Sequence, residues 1–326
     1  MDSSGSRERI EFLDSARGLT VLLMIFANTV SPFTIIPAWS KHAEGFGFTY
    51  VDAIAPTFMF IMGLSLDISF ARRVKQGMGP TIGHFLKRYG LLFLFGSIGT
   101  VLIYFLEDGA IEWIIFQNLA IAGLVVLPFM FIDSGRIRTV LAFALMLVYE
   151  VLETWVIVPK LGAGAGDATF GREVALLLSQ SLGLATLALF GAGISKRIQE
   201  GRVLSSALPW GLALIACGLA LWPIMPPYRG LANLSYLLLG LGWGNLTVTL
   251  LYLVHRAGVV NIPVLSALGK NSLLMFMVAS VLYKCLYIFI PPDAGVLAVG
   301  LGAFAVEFLC IALAELLKKR KIFIKL

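Results

Sequence analysis

Few residues in this chain combine a type and a setting suited to chemistry near neutral pH. Of three histidines in 326 residues, His42 lies in a short polar segment, Trp39-Ser40-Lys41-His42-Ala43, between two long apolar runs. An imidazole takes and returns a proton in the physiological range, so a histidine placed there is a candidate general base. A solvated loop side chain is the alternative. Two polar residues sit within the flanking apolar runs, where such groups are costly and therefore informative. Asn28 falls in the later half of the first run, and Asp52 opens the second, four residues before Pro56. Asp52 also fits a helix N-terminal carboxylate stabilised by free backbone amides. The alternation of the apolar runs brings Asn28, His42 and Asp52 to one side of a membrane.

Other polar positions divide into a second set. Asp14 and Arg17 are spaced i, i+3, which places them on one helical face as an ion pair. Arg72, Arg73, Lys87 and Arg88 cluster between the second and third runs, and Lys270-Asn271-Ser272 opens a late one. These are groups that could receive phosphates, although a helix cap with an interfacial lysine explains the late triplet equally well. Gln117 and Asn118, early in the fourth run, carry amides that can hold a polar ligand or bridge helices. His84 and His255 border basic segments and read as charge or interface residues. Cys217, Cys285 and Cys310 all lie within apolar segments and have no metal-ligand spacing, so neither a disulfide framework nor a metal site is expected. The run Gly162-Ala163-Gly164-Ala165-Gly166-Asp167 resembles a phosphate loop only superficially. No strand precedes it and it lacks the lysine such loops use, so it reads as a plain connection.

The elements that must position these residues are membrane helices. The chain is 59% hydrophobic and 13% charged, whereas soluble domains carry about 25% charged residues. A helix crosses a bilayer with about 20 apolar residues, and such runs fill the chain. About ten are expected, at 15–36, 51–71, 88–106, 113–132, 138–158, 174–195, 204–224, 231–254, 271–290 and 296–317. Their continuity favours helices over the alternating segments of a barrel. The fold class expected is an all-α polytopic transmembrane bundle, with residues 1–326 forming a single domain. The net charge of +6 does not point to nucleic acid, because the basic residues occupy short connections. Arg7, Arg9, Arg17, Arg136, Lys196, Arg202, Lys318 and Lys325 join the clusters above on one side; Lys41, Lys160, Arg172 and Arg229 are the few on the other. Lys and Arg accumulate in the cytoplasm, so both termini are expected there, with His42 on the outer face.

The residues named so far fall within a recognisable pattern. The stretch Arg9-Ile10-Glu11-Phe12-Leu13-Asp14-Ser15-Ala16-Arg17-Gly18-Leu19-Thr20 and the following run to Asn28 resemble the opening of the heparan-α-glucosaminide N-acetyltransferase family. So do Lys41-His42-Ala43, Phe48-Thr49-Tyr50-Val51-Asp52, Pro56-Thr57-Phe58 through Gly63, and Gly269-Lys270-Asn271-Ser272-Leu273-Leu274. The resemblance is strongest over residues 9–75. It implies a multispanning enzyme that takes an acetyl group from cytoplasmic acetyl-CoA and places it on an amino sugar or glycan across the bilayer. By resemblance His42 matches the catalytic histidine, and Asn28 and Asp52 match the family's asparagine and aspartate. The Asp14–Arg17 pair matches a signature of structural character. The chain departs from the family pattern at Asn118, where Gln117 is usually followed by arginine. Acyl-CoA as donor, a bacterial inner-membrane location and a homodimer are expectations at this level. A transporter or flippase for a small organic or lipid-linked substrate is the rival class. It would call for an inverted repeat or paired broken helices, and neither is visible.

Overall fold

The computed structural model describes residues 3–106, 113–161, 170–258 and 263–323. The run Gly162 to Asp167, Lys325, and the side chains of Arg7, Arg9 and Lys160 lie outside the described residues. The helices are α1 (Ser3–Val30), α2 (Tyr50–Arg73), α3 (Met78–Leu106), α4 (Ile115–Val126), α5 (Gly135–Leu152) and α6 (Val158–Leu161). They continue as α7 (Phe170–Gln199), α8 (Ala207–Leu221), α9 (Leu234–Arg256), α10 (Pro263–Lys270), α11 (Ser272–Phe289) and α12 (Val296–Lys319). No strand forms among the described residues; extended pairing is limited to an isolated antiparallel bridge between Phe46 and Tyr228.

Among the described residues, eight helices are long and apolar enough to cross a membrane. The protein is therefore an integral membrane protein of all-α, polytopic architecture. The two remaining expected spans, 113–132 and 204–224, correspond to shorter apolar helices, Ile115–Phe131 and Ala207–Leu221. The reason is local. Pro128 converts the end of α4 into a 3-10 turn over Leu127–Phe131, and Pro223, Pro226 and Pro227 follow α8 and forbid its continuation. The first span also stops earlier than expected, at Val30, because Pro32 lies just beyond it. The short helix α10 was not foreseen: eight residues leave no periodic signature long enough to read.

Small residues bring the helices to backbone contact, the usual means of tight packing where lipid supplies no hydrophobic contrast. A Cβ on Gly63 of α2 would sit 1.9 Å from the Ala188 carbonyl oxygen of α7, and one on Gly191 of α7 would sit 2.2 Å from the Phe60 carbonyl. At the α1–α10 crossing, a Cβ on Gly18 would lie 1.9 Å from the Leu265 carbonyl and one on Gly269 1.7 Å from that of Asp14. The core runs through α2, α7 and α9, where Met59, Phe60, Leu64, Leu187, Phe190 and Leu237 are buried. One buried ion pair braces this core: Arg138 Nη1 lies 2.5 Å from Asp67 Oδ1. Its guanidinium also donates to the carbonyls of Ile132, Met130 and Ala192, so no charge is left uncompensated.

Alternation of the long helices creates two ends. One gathers the end of α2, the start of α3, α10 and the end of α12, with Arg72, Arg73, Lys87, Arg88, Lys270, Lys318 and Lys319; it is the basic end. The opposite end holds the segment between α1 and α2, with His42, and the segment between α8 and α9, with Arg229.

Candidate active site

The site begins with the cap of α2. Thr49 has extended backbone at the N-cap, its hydroxyl accepts from Val51 N, and Asp52 at the third helical position turns back to it. This is the reciprocal capping box. Asp52 Oδ2 accepts from Thr49 N at 2.9 Å, Thr49 Oγ1 at 3.1 Å and Ala43 N at 3.1 Å. The other oxygen, Oδ1, lies 2.7 Å from His42 Nδ1. The carboxylate side chain is 0% exposed and the imidazole 33% exposed. Asp52 thus serves two purposes at once, ending the orphan amides of a helix and fixing a ring. With Nδ1–H directed at the carboxylate, Nε2 is the ring nitrogen that carries the lone pair.

The loop carrying His42 is held from several directions. Ser40 Oγ and Tyr50 OH are 2.7 Å apart, and Thr49 Oγ1 donates to the Lys41 carbonyl at 2.7 Å. Beyond the histidine, Gly47 N donates to the Pro227 carbonyl at 2.8 Å. Phe46 and Tyr228 pack ring on ring at 5.2 Å beside their backbone bridge. The result is a hollow of about 410 Å³ lined by Ile36, Ala38, Trp39, Lys41, His42, Ala43, Glu44 and Thr49. His42 opens onto it, with Asp52 behind.

Two prolines shape the site in the same way. Pro56 has no N–H, so the Asp52 carbonyl four residues earlier has no intrahelical donor. Tyr236 of α9 supplies one, its hydroxyl donating to the Asp52 oxygen at 3.2 Å. Pro32 likewise leaves the Asn28 carbonyl without a donor, and the Tyr287 hydroxyl of α11 donates to that oxygen. Orphaned carbonyls in a membrane helix must be satisfied by neighbours, and here both neighbours come from the second half of the chain.

The remaining candidates are distributed as follows. Asn28 is on α1 at the His42 end; its Nδ2 donates to the Met24 carbonyl at 2.8 Å, and the residue does not line the hollow. Gln117 and Asn118 are buried at the start of α4, also at the His42 end. Gln117 Nε2 donates to Thr100 Oγ1, Asn118 Nδ2 to Gln180 Oε1, and Ser181 Oγ to Asn118 Oδ1, each at 2.8 Å. At the basic end Asp14 and Arg17 are bonded, and Arg17 Nη1 donates to the Gly269 carbonyl at 3.2 Å. Arg88 lies within electrostatic range of Arg17 and places its guanidinium 5.7 Å from the Tyr89 ring centroid. Asn271 is buried and donates to the Ile322 carbonyl at 3.1 Å. Ser272 is buried beside it at the start of α11, and Lys270 ends α10. Arg72 and Arg73 close the last turn of α2, and Lys87 is exposed on α3. No group of three or more metal-ligating side chains occurs among the described residues.

Three residues of the site escaped the sequence reading. Thr49 was legible in principle from Thr49-x-x-Asp52, a capping-box spacing. Tyr236 and Arg229 were not. Arg229 Nε stands 3.8 Å from Asp52 Oδ1 with its side chain 49% exposed, and its carbonyl is held by Gln180 Nε2 at 3.2 Å. It reads in the sequence as one stray basic residue of an outer segment.

Comparison with known proteins covers the part of the chain that carries His42, Asn28 and Asp52. Residues 9–162 match the family model described as heparan-alpha-glucosaminide N-acetyltransferase, catalytic. A curated relative, heparan-alpha-glucosaminide N-acetyltransferase of Mus musculus, is 32% identical over 96 residues, which is 28% of this chain and 14% of the mouse protein. The region that carries His42, Asn28 and Asp52 is thus similar to the catalytic part of heparan-α-glucosaminide N-acetyltransferases.

Proposed function

We propose that the protein is a membrane acyltransferase that moves an acetyl or short acyl group from cytoplasmic acyl-CoA to the amine of an amino sugar, free or at a glycan terminus, on the opposite side of the bilayer. The observation that carries the reading is the 2.7 Å contact of His42 Nδ1 with the buried Asp52 carboxylate, with the ring opening onto a hollow. This is the arrangement of a base whose orientation and tautomer are fixed by a carboxylate. The similarity of residues 9–162 to that catalytic family model supports the transferase class.

The acyl-CoA donor supplies an activated acyl carbonyl. The basic end suits its phosphates: Arg17 Nε and Arg88 Nε are buried with no hydrogen-bond partner among the described residues. Arg72, Arg73, Lys87 and Lys270 add positive charge there, and Asn271 and Ser272 stand at the mouth of α11. In the transfer, the acceptor nitrogen forms its bond to the acyl carbon as the C–S bond breaks. His42 Nε2 takes the proton released from nitrogen and returns it to the departing thiolate. In an alternative order, His42 Nε2 carries the acyl group transiently before the acceptor arrives. From its place at the His42 end of α1, Asn28 stabilises the oxyanion or orients the acceptor, and Gln117 and Asn118 provide amides for the donor at the same end. Residues 1–326 form one transmembrane acyltransferase domain in a bacterial inner membrane, with both termini cytoplasmic, and the protein acts as a homodimer.

The test is CoA release by purified protein from acetyl-CoA with a panel of amino sugars, comparing wild type with His42→Ala. Sugar-dependent release that falls by about a hundred- to ten-thousandfold in the variant is the expected result. A well-folded wild type that neither binds acetyl-CoA nor releases CoA removes the transferase reading.

A further inference from the structure

Trp39 is the anomaly of the His42 hollow. The residue is 69% exposed, although its surroundings are firmly built. It sits in a single 3-10 turn, Ala38–Ser40. The next residue, Ser40, is pinned to Tyr50 at 2.7 Å, and the Tyr50 ring lies 6.2 Å from the indole at a tilt of 48°. The Thr49 hydroxyl holds the Lys41 carbonyl at 2.7 Å, just beyond the turn. A large apolar surface is thus kept out in the open by a rigid loop, three residues before the candidate base and lining the same hollow. Glu44, exposed, lines that hollow from the other side of His42 in sequence.

We infer that Trp39 and Glu44 form the acceptor subsite, taking one hexosamine ring. The apolar face of a pyranose, with its axial C–H groups, packs on an exposed indole, as other partly polarised groups do on aromatic faces. The carboxylate of Glu44 draws the ammonium group toward the hollow, and the rim of the ring is left in water. The hollow of about 410 Å³ exceeds the volume of one such ring. Sites of this kind combine an apolar wall with a few placed polar groups. The inference rests on the transferase reading for the fate of the ring, while binding itself is independent of it.

The experiment is saturation-transfer NMR of glucosamine with purified protein in detergent, irradiating aromatic protons, alongside the CoA-release assay. In wild type the axial ring protons receive the strongest saturation. Trp39→Ala abolishes the signal, Trp39→Phe retains most of it, and Glu44→Gln weakens glucosamine binding while leaving glucose binding unchanged. Where transfer is measured, Trp39→Ala raises the acceptor KM about five- to tenfold and leaves the donor KM alone. Tighter binding of a glucosamine disaccharide than of glucosamine assigns the ring to a glycan terminus, and equal binding assigns it to free sugar. Absence of sugar saturation in wild type, or its survival in Trp39→Ala, overturns the subsite and leaves Trp39 as a membrane-interface anchor. Sugar binding without CoA release would sustain the subsite and remove the transferase reading, so the two fail separately.

Discussion

The two ends of the bundle use polar groups in opposite ways. Around His42 they are consumed within the protein. Asp52 Oδ2 accepts from Thr49 N, Thr49 Oγ1 and Ala43 N, Oδ1 holds His42 with Arg229 at 3.8 Å, and the backbone carbonyl takes Tyr236. From the Asp52 network, the imidazole is the group presented to the hollow. At the basic end the cations keep unspent donors: Arg17 is bonded to Asp14 and Gly269 but its Nε has no partner among the described residues, nor has that of Arg88. A preorganised network costs no reorganisation at the moment of reaction, whereas a cluster with open donors suits an anion that arrives and leaves. The difference is that between a site built to react and a site built to bind.

The largest effect is expected where the first kind of site is most concentrated. Asp52→Asn keeps the shape but exchanges a carboxylate for an amide that also donates. The ring of His42 then loses its fixed tautomer, and CoA release is expected to fall by about a hundred- to ten-thousandfold. The same change weakens the cap of α2 by about 1–2 kcal/mol, so the melting temperature falls with the rate. Donor affinity, measured by calorimetry with acetyl-CoA, stays at the wild-type value. A loss of donor affinity equal to the loss of rate would erase the distinction between the ends.

How much of this was legible in the sequence depends on range. The long apolar runs fix the helices by length alone, and Thr49-x-x-Asp52 encodes the α2 cap within four residues. The prolines at 32 and 56 could be read as helix disturbances, and by counting back four residues they mark the carbonyls of Asn28 and Asp52. Their partners Tyr287 and Tyr236 could not be read, because tertiary packing alone selects a tyrosine 259 or 184 positions away. Arg229 is hidden for the same reason. The short α10 is hidden because its defining contact is the meeting of Gly269 with the backbone of Asp14. Asn28 shows the converse: its place at the His42 end was legible, but not that its amide turns back to the Met24 carbonyl.

That glycine contact tests the basic end separately. A methyl group at Gly269 would lie 1.7 Å from the Asp14 carbonyl oxygen, and backbone cannot yield as a flexible side chain would. Gly269→Ala should cost about 1–3 kcal/mol of stability, read as a lower melting temperature in detergent, and should displace the Arg17 guanidinium that Gly269 receives. Acetyl-CoA affinity then drops while glucosamine saturation transfer is retained. A smaller effect is expected for Arg88→Gln, which leaves the fold intact and removes one cation with an open donor. Its donor Kd should rise roughly tenfold, with a shallower dependence on salt than wild type. An unchanged donor Kd in Arg88→Gln would place the phosphate contacts elsewhere on the basic face.

The smallest effect probes whether the His42 end is as fully interlocked as its hydrogen bonds imply. Tyr236→Phe removes one hydroxyl and nothing else. The Phe48 ring, 5.6 Å from that of Tyr236, keeps its packing, and α9 keeps its shape. The Asp52 carbonyl, deprived of an intrahelical donor by Pro56, is then left without the donor from Tyr236 at 3.2 Å. A neutral hydrogen bond lost in this way is worth about 0.5–1.5 kcal/mol, so the first turn of α2 loosens rather than unfolds. Because that turn carries the carboxylate that aligns His42, a two- to tenfold drop in kcat is expected, by conversion of about 0.5–1.5 kcal/mol, with donor and acceptor KM unchanged. A general loss of packing would move the melting temperature and both KM values together. A kcat equal to wild type would mean that the carboxylate is fixed by its Thr49 and Ala43 donors alone, and that the tyrosine serves only to satisfy the break made by proline.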